Sequence, residues 1–193
     1  TRDRTEQYLQ HRRYRTAAEQ SPALEKSRAR AVESIKNMPD WWAVNSENYV
    51  ILSNLETRHR VFARDLQSDI EILRHAFESL IPPLSTVEDV SVIRVFATGR
   101  EYEAYVPEAM KWTSGLWSPS HAELIIRPAR SASKRDERDA MLRTVYHEAF
   151  HQYLHYALHR RHAAAWFNEG HAVFFQNIVI RGARRPARIE EDH

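Results

Sequence analysis

Hydrophobic residues along the chain follow strand-like and helix-like spacings in turn, which predicts an α+β fold. The apolar runs typical of strands are residues 48–53, 91–97, 115–117 and 122–126. The last two runs are close enough in the sequence to form a hairpin. Between the first two, residues 57–80 carry apolar side chains at helical spacing, namely Leu66, Ile70, Leu73 and Phe77. A long helix packed on the sheet is therefore expected.

A second helical pattern covers residues 141–158, which contain neither Pro nor Gly. The apolar residues at 150, 154 and 158 share one face, so that face is expected to turn inward. A turn at residues 160–165 and a further apolar stretch at residues 172–179 predict another helix packed against the first. The predicted architecture is a small mixed or antiparallel sheet packed on this helix pair.

The length of 193 residues and the hydrophobic content of 42% suit one ample core with room for an appendage. Residues 1–46 are polar and rich in Arg, with a narrow apolar stripe that begins after Ser21 and Pro22. They are predicted to form an N-terminal helical arm. Residues 47–180 form the predicted main domain, and residues 181–193 a polar tail.

Composition excludes several classes of function. The net charge of +2 gives no strong field for nucleic acid, and no apolar run approaches the roughly 18 residues that span a bilayer. The absence of cysteine rules out thiolate metal sites, and the four glycines form no phosphate-binding loop or serine-hydrolase turn. Because the chain opens on Thr1 and not on Met, we expect it to be processed or cut from a longer protein. The sequence does not define its location, although an extracytoplasmic one is favoured over the others. The sequence does not define an oligomeric state.

The segment His147-Glu148-Ala149-Phe150-His151 points to a metal-dependent chemistry. Two histidines four positions apart lie on one face of a helix, so their imidazoles can bind one Zn²⁺. The same face carries the apolar residues of this helix, which predicts a partly buried metal. Glu148 would lie beside the water that zinc activates, and we expect it to be the general base.

Catalytic zinc keeps three protein ligands and one open position, so a third ligand is needed. Seventeen residues separate His151 from Glu169, enough for one helix to end and a second helix to begin. We expect Glu169, early in that second helix, to be the third ligand. If Glu169 does not bind the metal, the candidates are Glu137, Asp139 and His171.

These two segments resemble the gluzincin branch of the zinc metallopeptidases, the peptidase-MA-like superfamily. In that family a His-Glu-x-x-His helix is completed by a glutamate from an Asn-Glu-Gly segment on the next helix, here residues 168–170. The chain is similar to poorly characterised bacterial members, over about residues 47 to 180. The resemblance implies a zinc-dependent peptidase whose partner is a peptide or protein substrate.

The chain departs from the family in one respect that concerns catalysis. Many relatives carry a tyrosine soon after the glutamate motif, where this chain has Phe174 and Phe175. A hydroxyl that would stabilise the transition state is therefore not identified. The candidates for such a role, or for supporting the metal ligands, are His155, Tyr146 and Tyr153.

The resemblance also implies that an extended substrate pairs with an edge strand beside the zinc helix. The segment shortly before that helix contains Glu123, Leu124 and Ile125, which we expect to form this strand. The alternative to an enzyme is an inactive pseudo-peptidase, or a module in which zinc stabilises a protein-binding surface. The intact Glu148 favours the enzyme, because a purely structural zinc site needs no general base.

Overall fold

The computed structural model describes residues 21–56, 60–128, 135–180 and 188–189. Over these residues the chain is an α+β protein with a five-stranded mixed sheet and five α-helices. The helices are α1 (Pro22–Glu33), α2 (Arg60–Leu80), α3 (Gly99–Tyr105), α4 (Arg135–Ala157) and α5 (Ala165–Gln176). The strands of the main sheet are β1 (Trp42–Asn45), β2 (Tyr49–Ser53), β3 (Ser91–Val95), β4 (Gly115–Ser118) and β5 (Glu123–Ile126). A 3-10 turn spans Glu108–Met110, and a short ladder joins β6 (Ile178–Val179) to β7 (Arg188–Ile189).

The strands of the main sheet lie in the order β1-β2-β3-β5-β4. The three inner strands are parallel, and the outer strands β1 and β4 run antiparallel to their neighbours. The connection from β2 to β3 contains α2, and the connection from β3 to β5 contains α3 and β4. The predicted α+β class, the mixed sheet and the hairpin of β4 with β5 are confirmed.

Among the strands that the structure describes, β4 has no neighbour on the side away from β5, and we call this side the free edge of the sheet. β5 lies between β3 and β4, is paired on both sides, and has four buried side chains. The prediction that Glu123, Leu124 and Ile125 form an edge strand for substrate is therefore wrong. The parallel crossover returns β5 to the inside of the sheet, and a continuous apolar run such as residues 124–126 is typical of an interior strand.

One face of the sheet packs against α2 and α4. Their apolar side chains and those of β2, β3 and β5 form the largest core, which α5 joins through Ala172 and Phe175. The ring of Phe77 lies 5.5 Å from that of Phe150, 5.4 Å from that of Tyr153 and 4.6 Å from that of Phe175. These contacts hold α2 against α4 and against α5.

The helices predicted from apolar spacing are confirmed. The pattern over residues 57–80 corresponds to α2, and the pattern over residues 141–158 corresponds to α4, which begins earlier, at Arg135. Among the helices that the structure describes, none has both the length and the apolar character needed to cross a bilayer.

On the opposite face of the sheet, α1 covers β2 and β3, and α3 packs near Ile125 of β5. The apolar residues in the α1 contact are Leu24, Ala31, Ile35, Val50, Leu52, Val90 and Val92. The boundary predicted at residue 46 falls between β1 and β2, which are hydrogen-bonded to each other, so α1 and β1 belong to the same packed unit. The rest of the predicted arm, residues 1–20, lies outside the described residues. So does the predicted tail, apart from residues 188–189.

Candidate metal and catalytic site

Two histidines on α4 converge on one point. His147 and His151 are four positions apart, so they lie one turn apart on the same face of the helix. Their Nε2 atoms are 3.1 Å apart. Their side chains are 20% and 12% exposed, so solvent still reaches the point at which they meet.

Glu169, in the second turn of α5, brings a carboxylate to the same point. Its Oε2 lies 3.6 Å from His147 Nε2, and its Oε1 lies 3.6 Å from His151 Nε2. One ligand atom from each of the three side chains falls within 4.8 Å of the others. Ligand atoms about 2.0–2.1 Å from a tetrahedral zinc would be about 3.3 Å apart, so the three groups fit a common ion. The three predicted ligands are thus close together in the structure.

Two side-chain amides fix the orientation of the imidazoles. His147 Nδ1 is 3.0 Å from Gln176 Oε1, and His151 Nδ1 is 2.9 Å from Asn168 Oδ1. An amide oxygen only accepts hydrogen bonds, so both Nδ1 atoms donate and both Nε2 atoms present lone pairs. Two such lone pairs 3.1 Å apart repel each other unless a proton or a metal cation lies between them. A metal ion would relieve this repulsion, and metal-ligating histidines commonly donate their other nitrogen in this way.

The contributions of Gln176 and Asn168 were missed by the sequence patterns, although a signal for both exists. Asn168 directly precedes Glu169, and Gln176 follows it by seven residues, which is about two helical turns and therefore the same face. α5 otherwise buries Ala172 and Phe175 in the core that it shares with α4. Gln176, a polar residue two turns beyond Glu169 on this helix, therefore indicates a polar partner on α4.

Glu148 lies beside this group and reaches the edge of the sheet. Its Oε2 accepts a 2.7 Å hydrogen bond from the backbone N–H of Trp117 in β4. Burial raises the pKa of the Glu148 carboxyl, while the Trp117 N–H and His147 lower it and the charge of Glu169 raises it again. The net direction is upward, so the carboxylate is a stronger base than that of an exposed glutamate.

Next to Glu148, the side of β4 away from β5 has no strand partner among the described residues. In an antiparallel ladder, successive residues direct their backbone groups alternately toward the partner strand and away from it. The Trp117 N–H binds Glu148, so Trp117 faces away from β5, as does Gly115 two residues earlier. A Cβ at Gly115 would lie 2.9 Å from Ile126 Cδ1 and 3.0 Å from Thr144 Cγ2. Glycine therefore allows the edge strand to lie close to both β5 and α4.

The two tyrosines considered for a catalytic role bind on the α2 side of the core. Tyr146 donates its hydroxyl hydrogen to Asp69 Oδ2 at 3.0 Å, and Tyr153 donates to the carbonyl of Ile81. Burial raises the pKa of both hydroxyls. They occupy a different face of α4 from the two histidines, and their hydroxyls are bonded to Asp69 and Ile81.

His155, one turn after His151, contacts β4. Its ring centroid is 5.3 Å from that of Trp117 and 5.4 Å from that of Tyr156. Burial lowers the pKa of the His155 imidazole, and the charge of Arg160 lowers it further, so the neutral form is favoured. His155 is thus a neutral group next to the edge strand.

His171, Glu137 and Asp139 do not join the two histidines of the motif. His171 Nδ1 is 2.8 Å from the carbonyl oxygen of Phe167, and its ring stacks on that of Phe150 at 5.7 Å. Among the described residues, the group of possible ligands consists of His147, His151 and Glu169.

Comparison of the chain with models of protein families, with curated proteins and with solved structures finds no match. Function must therefore be inferred from the chemistry of the site itself.

Proposed function

We propose that this protein is a zinc-dependent peptidase. His147, His151 and Glu169 would hold the metal, and Glu148 would act as the general base. The observation that carries the proposal is the 3.1 Å approach of two imidazole nitrogens whose partner nitrogens both donate to amides. A carboxylate 3.6 Å from each of these nitrogens completes a group that suits a divalent cation.

The donor set favours zinc among the common cations. Two imidazole nitrogens and one carboxylate oxygen suit zinc, whereas magnesium and calcium prefer sites made of oxygen atoms. Three protein ligands leave one coordination position open, as in hydrolytic sites, and the 60% exposure of the Glu169 side chain gives solvent access. When bound, zinc would make a water molecule more acidic and polarise a substrate carbonyl.

Glu148 supplies the proton transfer in this scheme. Its Oε2 is held by the Trp117 N–H, so Oε1 is the oxygen left to take a proton from the attacking water. The raised pKa of this buried carboxyl suits that role. As the water oxygen bonds to the carbonyl carbon and the C–N bond breaks, Glu148 returns the proton to the leaving amine nitrogen.

The free edge of β4 supports a polypeptide as the substrate. Gly115 and Trp117 direct backbone groups away from β5, and an extended peptide can pair with such an edge. Because the Trp117 N–H is bonded to Glu148, the Trp117 carbonyl and both backbone groups of Gly115 would bind the substrate. The peptide chain would then lie alongside the base.

An inactive pseudo-peptidase, or a zinc-stabilised protein-binding module, is the second candidate. One observation favours it. Glu148 is bonded to a backbone amide of β4, so the same carboxylate could serve only to hold the edge strand against α4. Phe174 and Phe175 also stand where the family resemblance predicts a tyrosine.

Cleavage of a peptide library by the zinc-loaded protein separates the two candidates. The peptidase proposal expects hydrolysis that a chelator removes and that added zinc restores. Loading of about one zinc ion per chain without any cleavage of the library would favour the binding module.

A further inference from the structure

α5 exposes three large apolar side chains, Trp166, Val173 and Phe174, which we call the α5 strip. Their exposed fractions are 77%, 47% and 45%. The same helix buries Ala172 and Phe175 in the core that it shares with α4, so the strip lies on its outer side. Apolar groups clustered on one exposed helix face are typical of a surface that binds another molecule.

Trp166 and Val173, two of the three members of the α5 strip, border Glu169. Trp166 precedes Glu169 by three residues and Val173 follows it by four, so the three side chains stand on successive turns of one helix face. The Glu169 side chain is 60% exposed on that face, although its carboxylate reaches both histidines. The proposed metal group is therefore open on the side where the strip lies.

Gly170 leaves a gap in the middle of the strip. A Cβ placed there would meet nothing within 4 Å. Glycine inside a helix is less stable than alanine, so the gap has a cost in stability. No atom in the described part of the chain occupies the space, and close approach of a ligand backbone is a physical reason to keep it open.

The metal group lies between the α5 strip and the free edge of β4. Glu148 connects the group to β4 through Trp117, and Glu169 connects it to α5. Successive side chains of an extended peptide point to opposite sides. A peptide paired with β4 would therefore direct alternate side chains toward α5.

We propose that the α5 strip is the apolar wall of the substrate site, and that the substrate has a large aliphatic or aromatic side chain next to the scissile bond. This inference rests on the proposed function. Gly170 would let the substrate backbone approach α5, and the strip would remove the apolar side chain from water. A second copy of the chain is a poorer occupant, because it would cover Glu169 and close the open side of the metal group.

Peptide binding to an inactive variant tests the inference without relying on turnover. The probes are two fluorescein-labelled hexapeptides, Ala-Ala-Phe-Leu-Ala-Ala and Ala-Ala-Ser-Thr-Ala-Ala, titrated by fluorescence anisotropy with the zinc-loaded Glu148→Gln protein. The apolar peptide is expected to bind at least about 10-fold more tightly, which is the scale of burying one large apolar side chain. Adding Trp166→Ala or Gly170→Leu should remove most of this difference. The control Leu84→Ala removes an apolar side chain of 60% exposure outside α5 and should preserve it.

Several outcomes would overturn the inference. Equal affinities for the two peptides, or a preference that survives Trp166→Ala, would do so even if the wild-type protein cleaves peptides. A dimer that forms with increasing concentration and that Trp166→Ala dissociates would assign the α5 strip to a second copy.

Failure of the peptidase proposal would give a different set of results from failure of the inference about the α5 strip. If the wild-type protein binds zinc and cleaves nothing, while Trp166→Ala removes a clear preference for the apolar peptide, the peptidase proposal fails. The α5 strip would then stand as an apolar peptide-binding surface.

Discussion

The backbone N–H of Trp117 donates a 2.7 Å hydrogen bond to Glu148, which joins the free edge of the sheet to the proposed general base. Glu148 lies on α4 next to His147, so the helix that presents the histidines also binds the strand. One side chain therefore fixes the position of β4 relative to the proposed metal group. Substitutions at a metal ligand, at its supporting amide and in the strand should therefore differ in their effects on zinc content, zinc affinity and stability.

Zinc content should depend on the three proposed ligands. We expect about one zinc ion per chain, and His147→Ala, His151→Ala and Glu169→Ala should each lose most of it, because catalytic zinc is held by three protein ligands. Plasma mass spectrometry after dialysis measures the ratio. His171→Ala is the matched control, since its Nδ1 is bonded to the Phe167 carbonyl. Full zinc retention by Glu169→Ala would show that the third ligand lies elsewhere.

The amide of Gln176 should strengthen zinc binding without touching the metal. It accepts the Nδ1–H of His147 at 3.0 Å, and loss of such a partner weakens metal affinity by about 10- to 100-fold. We expect this loss in Gln176→Leu, measured by competition with a chromophoric chelator. Gln67→Leu is the matched control, because Gln67 binds the carbonyl of Asn45 instead. Unchanged affinity in Gln176→Leu would refute the orienting role of the amide.

Alanine at two glycines should change stability in opposite directions. Gly170→Ala should stabilise the fold by about 1 kcal/mol and raise Tm by about 2–4 °C, because alanine favours the helix and its methyl group meets open space. Gly115→Ala should lower Tm, because its methyl group would lie 2.9 Å from Ile126 Cδ1 and 3.1 Å from the carbonyl oxygen of Ile125. Thermal unfolding followed by circular dichroism measures both. A lower Tm for Gly170→Ala would contradict the open space on α5.

Glu123 should affect stability and leave zinc binding unchanged. Its carboxylate accepts hydrogen bonds of 2.6 and 2.8 Å from Arg94 and one of 2.9 Å from Tyr105. Glu123→Ala would leave the buried Arg94 guanidinium without its carboxylate partner, which costs about 3–5 kcal/mol in comparable pairs. Denaturant unfolding measures the loss, and the zinc ratio of the folded protein is the control. A loss under about 1 kcal/mol, typical of exposed ion pairs, would contradict this structural role.

Elements with a full apolar face could be predicted from local spacing alone. α2 repeats buried residues such as Leu66, Ile70 and Leu73 along 21 residues, which is long enough to reveal the helical period. β1 was missed because none of its four side chains is fully buried, so it shows no buried apolar run. α3 was missed because seven residues are too few to reveal a helical period. The capping box of Thr98 and Glu101 at the start of α3 is the one local signal that was available.

Features that depend on contacts between segments far apart in the sequence could not be predicted from local apolar spacing. Whether β4 or β5 forms the edge is decided by the pairing of Val92 with Glu123, which are far apart in the sequence. The bond between His147 and Gln176 depends on how α5 packs against α4. The group of His147, His151 and Glu169 could be predicted from the sequence. Helix geometry places the two histidines on one face, and a short turn between the two helices brings Glu169 close to them.

Cleavage of a peptide library by the wild type and by Glu148→Gln, at equal zinc occupancy, tests whether Glu148 is the general base of a zinc peptidase. A glutamine can still accept the Trp117 N–H through its amide oxygen, so fold and zinc content should be preserved while the proton acceptor is lost. We predict that kcat/KM falls by about 10²–10⁴-fold in Glu148→Gln, the usual contribution of general-base catalysis. Equal turnover of the same peptides by both proteins, each with zinc bound, would contradict this prediction.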